Sequence, residues 1–224
     1  MGKWDWSAII AAIAVVISVI ALWLQRIDLK KQAKYQRNTF TVQNELENYK
    51  IIVNLATEII GNIQTQKQTL IRLYYVQIHR NYFEREWVET NIRNDIPDRE
   101  NKIALSDNIK NLYGAEADFL NQSTSELSRD LTSKTHALDI YLHDTKYIKK
   151  VSSSMEPINK ALNNMVLEIS EITDVDKIPD DKSFRDWANE HTEGIEENIN
   201  IFHNVILEIK SEMTNKISEI SANK

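Results

Sequence analysis

Residues that break helices are scarce in this chain, and this scarcity restricts the fold more than any other feature. Only four glycines and three prolines occur among the 224 residues. A domain of this size that contained a sheet would need more tight turns, which glycine and proline usually supply. The composition therefore predicts an all-α protein built from long helices.

The composition also excludes several classes of function. The absence of cysteine excludes disulfide frameworks, cysteine-ligated zinc, iron–sulfur clusters and thiol nucleophiles. The chain carries 27 basic and 33 acidic residues, which gives a net charge of −6. A general nucleic-acid-binding protein shows a basic excess instead. We therefore expect no sequence-specific nucleic acid among the partners.

An apolar segment near the amino terminus predicts a membrane anchor. Between Ala8 and Leu24 the only polar residue is Ser18, and tryptophans flank the segment. Roughly 20 apolar residues cross a bilayer core, so residues 1–24 fit one transmembrane helix that acts as a signal anchor. The alternatives are a cleaved signal peptide and a buried helix of a soluble protein. The weakly basic amino terminus disfavours the first alternative, and the long apolar run disfavours the second.

Basic residues follow the anchor and predict its orientation. Residues 25–37 hold five basic side chains and one acidic side chain, whereas residues 38–224 hold 21 basic and 31 acidic ones. The positive-inside rule then predicts a single-pass protein of the inner membrane whose carboxy-terminal domain is cytoplasmic. The basic side chains of this juxtamembrane helix should contact lipid headgroups of the bilayer. They are Arg26, Lys30, Lys31, Lys34 and Arg37.

Small and polar residues recur on one face of the predicted anchor. They alternate at spacings of four and three residues, which is the heptad pattern of a helix–helix contact. Small residues let transmembrane helices approach closely, and serine or glutamine can hydrogen-bond across the contact. The pattern predicts a homo-oligomer. Its contact residues would be Ser7, Ala11, Ala14, Ser18, Ala21 and Gln25.

Apolar residues at helical spacing continue through residues 38–224 and predict a cytoplasmic antiparallel bundle of long, coiled-coil-like helices. No glycine or proline lies between Trp6 and Ile60, so the anchor should continue into the bundle without a break. The clearest apolar seam is Ile195, Ile199, Phe202, Ile206, Ile209, Met213, Ile217 and Ile220. A central seam is predicted at Leu105, Ile109, Leu112, Phe119, Leu127, Leu131, Leu138 and Tyr141.

Two segments should connect these helices. Residues 94–98 contain Pro97, which disfavours helical geometry in the residue before it and so predicts a turn. Residues 173–183 are rich in aspartate and predict a loop, after which Ser183 should cap the last helix.

Two further sites have weaker helix-boundary signals. Ser153 and Glu156 precede Pro157 and form a capping-box pattern that predicts the start of a helix. Gly61, followed by Asn62, could end or bend the first long helix, because glycine lowers helix propensity.

No catalytic or metal-binding motif of specific spacing occurs in the sequence. A phosphate-binding glycine loop, a nucleophile elbow and a helical zinc-binding histidine pair are all missing. Three pairs resemble the Arg–His spacing of HEPN-type ribonucleases: Arg72 with His79, Arg129 with His136, and Arg185 with His191. That resemblance would imply RNA cleavage. Solvated helix faces explain a short motif that occurs three times better than a catalytic site does, so we expect no enzyme, cofactor or metal.

Three functions fit this layout. The first is a membrane-anchored scaffold or sensor whose bundle contacts an unidentified cytoplasmic protein. The second is an oligomerising effector that perturbs the bilayer or forms a pore, for example in phage defence or exclusion, and the third is the HEPN-like ribonuclease. The high isoleucine, asparagine and lysine content suggests a bacterial or phage protein. We expect the scaffold, because one hydroxyl in the anchor core gives a pore little polar lining.

Overall fold

The computed structural model describes the backbone of residues 6–93, 95–143, 145–173 and 175–222. Side chains are described at residue 18 and over residues 20–220, with the same gaps. The elements are α1 (Trp6–Ile92), α2 (Arg99–Leu142), α3 (Ile148–Glu171) and α4 (Asp181–Ala222). Within the described backbone no strand is found. The predicted all-α fold with long helices is therefore confirmed.

The chain divides into two compact units. The larger unit comprises residues 50–210, and the smaller one comprises residues up to 49 together with residues from 211 onward. In the smaller unit Lys216 Nζ lies 2.5 Å from Glu45 Oε1, and Val42 and Ile217 are half-buried. The ion pair between Lys216 and Glu45 thus joins α1 to α4 within the smaller unit.

Neighbouring helices of the larger unit are antiparallel. Asn62 contacts Asp130 and Arg72 contacts Glu116, so residue numbers rise along α1 while they fall along α2. The contacts between α3 and α4, and those between α1 and α4, show the same reversed order. The predicted antiparallel helical bundle is confirmed for this unit.

The core of the larger unit is built almost entirely from aliphatic side chains. Burying one large aliphatic side chain contributes about 1.5–3 kcal/mol, so a set of this size holds the four helices together. Completely buried members from the four helices include Ile59, Ile63, Leu70, Val76, Leu138, Val151, Ile158, Met165, Ile195 and Phe202.

The predicted seam of α4 is buried between residues 195 and 209, but the predicted seam of α2 is only half correct. Leu131 and Leu138 are buried, whereas Leu105, Leu112 and Phe119 are exposed. The buried face instead continues from Leu131 back through Thr124 and Ala117 at seven-residue intervals. Leu112 is five residues from Ala117, which is on the order of 140° around a helix. The central seam was therefore predicted on the wrong face in the first half of α2.

The predicted turn between α1 and α2 is confirmed and has a specific structure. Asp98 adopts left-handed backbone geometry with φ 57° and accepts a 2.7 Å hydrogen bond from Asn101. Arg99 Nε donates to the carbonyl oxygen of Thr90 over 3.0 Å, and the same guanidinium donates to the carbonyl of Asn91. Arg99 thus satisfies carbonyls that the end of α1 leaves without helical partners.

The loop before α4 is also confirmed, although its cap differs from the prediction. The Asp180 carboxylate accepts a 2.8 Å hydrogen bond from the backbone N–H of Ser183. Asp180, not Ser183, is therefore the residue that caps α4. A carboxylate at this position also stabilises the helix dipole, which explains why aspartate is favoured there.

One predicted helix boundary is wrong, and one of the two alternatives at Gly61 is excluded. Helix α3 begins at Ile148, so Ser153 lies inside it and donates to the carbonyl oxygen of Lys149 rather than to a cap. Pro157 is also internal, and buried Val151 extends the apolar face of the helix ahead of it. Gly61 lies within α1 and does not end it.

No helix in the described part of the chain has the length and apolar content that crossing a bilayer requires. The side chains of residues 1–17 and of Val19, which include most of the predicted anchor, lie outside the described residues.

Candidate functional site

The residues predicted to contact membrane or partner anchors are only partly described. Ser7, Ala11 and Ala14 lie outside the described side chains, while Ser18, Ala21 and Gln25 are exposed. The five basic side chains predicted to meet lipid headgroups are exposed as well, and they are Arg26, Lys30, Lys31, Lys34 and Arg37. Exposure leaves these residues accessible to lipid or to another chain, and both contacts stay predictions.

In the first Arg–His pair, each residue makes separate contacts. Arg72 Nε donates to Glu116 Oε1 over 2.7 Å, and this hydrogen bond raises the pKa of Arg72. His79 is buried, and its Nδ1 lies 2.8 Å from the carbonyl oxygen of Tyr75. Arg72 therefore links α1 to α2, and the His79 ring packs against the same helix, with its centroid 5.1 Å from that of the Tyr113 ring.

The other two pairs also differ in their surroundings. Arg129 and His136 are both exposed on α2. Arg185 Nε donates to the Asp181 carbonyl oxygen over 3.0 Å, whereas His191 Nε2 lies 2.5 Å from a carboxylate oxygen of Glu168. These contacts attach His191 to α3 and leave Arg185 at the start of α4.

An aromatic cluster surrounds Glu168. Trp187 Nε1 donates to Glu168 Oε1 over 2.8 Å, and the Trp187 ring is stacked on Tyr74 with centroids 3.6 Å apart. Burial raises the pKa of the Tyr74 phenol, and the nearby Glu168 carboxylate raises it further. The arrangement packs α1, α3 and α4 against one another.

Three of the five large apolar side chains that α2 exposes lie in its first half, and we call these three the α2 stripe. They are Leu105, Leu112 and Phe119, whose exposed fractions are 61%, 67% and 67%. Their seven-residue spacing places them on one helix face, with about 10 Å between successive members. The heptad spacing in the sequence correctly predicts that these three residues share one helix face. That face, however, is not part of the bundle core.

The surface around the α2 stripe has few unpaired charges, because half-buried Asp107 pairs with Lys110 and half-buried Glu116 pairs with Arg72. Among the exposed residues between positions 104 and 122, only Asp118 is charged. Exposed positions of α4 between residues 181 and 210 include nine charged residues. Depletion of charge around large apolar side chains is a property of protein–protein interface centres. Such depletion is the sequence signal that distinguishes a binding face from a solvated helix face.

The described residues contain no group of three or more histidine, aspartate or glutamate side chains placed to hold a metal ion. Comparison with family models, curated proteins and solved structures finds no match to this chain. The α2 stripe is therefore interpreted from its geometry and surroundings alone.

Proposed function

We propose that this protein is a membrane-anchored scaffold that acts by protein–protein contacts through the α2 stripe. The observation that carries the proposal is the exposure of Leu105, Leu112 and Phe119 on one face of one helix. Burying a leucine or phenylalanine side chain contributes about 1.5–3 kcal/mol, so covering this stripe favours association. A helix laid along α2 matches the heptad spacing.

We propose a second copy of the chain as the occupant. Parallel, in-register pairing of two α2 helices places each flanking residue beside its own counterpart, so charged flanks would repel one another. Asp118 is the only charged residue among the exposed positions 104–122. The half-buried charges nearby are neutralised within the chain, since Asp107 pairs with Lys110 and Glu116 pairs with Arg72. Two chains anchored in one membrane also leave it in the same direction, which favours the parallel arrangement. The alternative is that an unrelated cytoplasmic protein, and not a second copy of the chain, covers the α2 stripe.

The membrane part of the proposal is supported by the sequence. The apolar run from Ala8 to Leu24 and the basic residues 26–37 favour a single span with the bundle in the cytoplasm. The small-residue face of the same segment supports association of anchors. Two self-associating surfaces on one chain reinforce each other, because the second contact forms at a high effective concentration.

Position-specific disulfide crosslinking tests the proposal, since the natural chain has no cysteine to interfere. Leu112→Cys is compared with Leu167→Cys, a residue on α3 that is 60% exposed. In membranes under mild oxidation, we expect disulfide dimers from Leu112→Cys and none from Leu167→Cys. Equal crosslinking at the two positions, or none at either, would overturn self-association through α2.

The direction of pairing needs a second set of variants. In a parallel pair, Leu105→Cys and Phe119→Cys should each form dimers with themselves. Mixed disulfides between these two variants would show antiparallel pairing and would contradict the arrangement proposed for one membrane. In addition, Leu112→Glu should reduce the oligomer measured in detergent while leaving thermal unfolding unchanged, because Leu112 is 67% exposed.

A liposome experiment separates the scaffold from the pore-forming alternative. Purified full-length protein should not release a small trapped dye, because Ser18 is the one polar residue within the apolar run. Dye release that disappears in Ser18→Leu would establish the membrane-perturbing effector instead.

A further inference from the structure

A solvent-open groove of about 410 Å³ lies between α1, α2 and α3, on residues that the scaffold proposal does not use. Its polar lining includes Gln66 from α1, Thr132, His136 and Asp139 from α2, and Asn159 and Asn163 from α3. Leu131 and Leu162 add apolar surface to the same groove. Convergence of polar groups from three helices on one concave surface fits a small polar ligand.

Among the described residues, Gln66 and Asp139 line this groove, and each has one buried acceptor atom with no hydrogen-bond partner. Gln66 is only 4% exposed, and its Oε1 makes no hydrogen bond. The Oδ1 atom of Asp139 is also buried and unpaired. Leaving a buried acceptor without a hydrogen bond lowers the stability of the fold, and leaving a buried carboxylate oxygen without one lowers it further. A ligand that donates hydrogen bonds would satisfy both atoms once the two side chains rotate toward the groove.

Two threonine hydroxyls of the lining add further acceptors. Thr132 Oγ1 donates to the Ser128 carbonyl oxygen over 2.9 Å, and Thr135 Oγ1 donates to the Leu131 carbonyl oxygen over 2.8 Å. Each hydroxyl has therefore used its only proton, and it has only acceptor capacity left for the groove. Asp139 is the single carboxylate among the described lining residues, so the groove combines several acceptors with one negative charge.

We propose that this groove binds a primary alkylammonium group. An ammonium group has three N–H donors and a positive charge, which match the acceptors of Gln66, Asp139 and the threonine hydroxyls. The alkyl chain would lie against Leu131 and Leu162. One carboxylate is a poor ligand set for a divalent metal ion, which needs more charged oxygens. The ammonium can belong to a free aliphatic diamine or to a lysine side chain of a protein.

Calorimetric titration of the full-length protein in non-ionic detergent tests the binding. The probes are 1,4-diaminobutane, its uncharged analogue 1,4-butanediol, and Nα-acetyl-lysine methylamide. We expect 1,4-diaminobutane to bind with a Kd below about 1 mM and butanediol to bind at least about tenfold more weakly. Tighter binding of the lysine derivative would identify a protein lysine as the source, and tighter binding of the diamine a free amine. Equal binding of butanediol and the diamine would overturn the proposal.

Matched variants assign the binding to this groove. Asp139→Asn keeps the side-chain shape and should weaken diamine binding by about tenfold or more. Glu126→Gln removes an exposed carboxylate of α2 outside the groove and should change the Kd by less than about twofold. Equal affinities for the wild type and Asp139→Asn would place the amine elsewhere and overturn the proposal.

A stability measurement distinguishes a ligand-binding Gln66 from a structural one. Gln66→Leu removes an unpaired buried acceptor, so it should raise the melting midpoint of the amine-free protein and weaken diamine binding by about threefold or more. If Gln66→Leu lowers that midpoint and leaves the Kd unchanged, Gln66 is structural and the proposed contact is wrong.

Discussion

The indole ring of Trp187 lies flat on the phenol ring of Tyr74, with the two planes only 3° apart. The stack joins α4 to α1, and the indole N–H simultaneously donates to Glu168 of α3. His191, one turn after Trp187, contacts the same carboxylate. One tryptophan therefore fixes the relative positions of three helices.

Replacement of Trp187 should be among the most destabilising changes in the larger unit. Trp187 is only 9% exposed, so Trp187→Ala should lower the free energy of unfolding by about 3–5 kcal/mol. Trp187→Phe retains an aromatic ring but loses the hydrogen bond to Glu168, and should cost about 1–2 kcal/mol. Urea unfolding followed by circular dichroism measures both. Equal losses for the two variants would show that the hydrogen bond, not the stacking, dominates.

The buried phenol of Tyr74 should make the protein sensitive to alkaline pH. Burial raises the pKa of Tyr74 above its ordinary value. The contribution of the protonated phenol to the free energy of unfolding is therefore complete below the pKa of the unfolded chain, which is about 10. That contribution is lost as the pH rises from the pKa of the unfolded chain through the higher pKa of the folded one. Tyr74→Phe should therefore lose less stability than the wild type between about pH 8 and pH 10.5. Urea midpoints at the two pH values check this, and parallel losses would exclude Tyr74 as the source.

Adjacent residues of α4 provide a matched test of its buried face. Ile206 is 7% exposed, whereas Leu207 is 47% exposed. Ile206→Asp should destabilise the protein by about 3 kcal/mol or more, since it buries an unpaired charge. Leu207→Asp should change stability by less than about 0.5 kcal/mol. Thermal melting by circular dichroism gives both values, and a reversed order would contradict the assigned face.

The cap at Asp180 should appear in the acid dependence of stability. The hydrogen bond from the Ser183 N–H lowers the pKa of Asp180, so the cap stabilises α4 above about pH 4 and weakens as the pH falls. Asp180→Ala should lower the melting midpoint at neutral pH, whereas Asp180→Asn, which can still accept the bond, should lower it less. Both variants should lose less stability than the wild type on acidification. An unchanged midpoint in Asp180→Ala would contradict the capping role.

Helix content could be predicted from the sequence because it depends on local properties. The scarcity of glycine and proline predicts long helices, and Pro97 predicts the turn between α1 and α2. The sequence does not predict the boundary between α2 and α3 at its actual position, because residues 143–147 contain neither glycine nor proline. Pro157 predicts a boundary, but the apolar packing of Val151 keeps the preceding turns helical.

Which face of α2 is buried could not be predicted from α2 alone. Leu105, Leu112 and Phe119 have the spacing of a core seam, but Ala117 and Thr124 occupy the core position instead. The outcome depends on tertiary packing, which a hydrophobic pattern does not specify. The groove at Gln66 and Asp139 was missed for a related reason, because its lining comes from three helices that are far apart in sequence.

The turn clamped by Arg99 has a consequence for how the chain folds. Contacts between α1 and α2 join residues that are nine apart at the Arg99–Thr90 bond, 44 apart at Arg72–Glu116 and 68 apart at Asn62–Asp130. Once the turn has formed, each later contact closes only a short additional loop, so its entropic cost is small. We therefore expect the contacts between α1 and α2 to form in order outward from the turn during synthesis, before the ribosome has released α3 and α4.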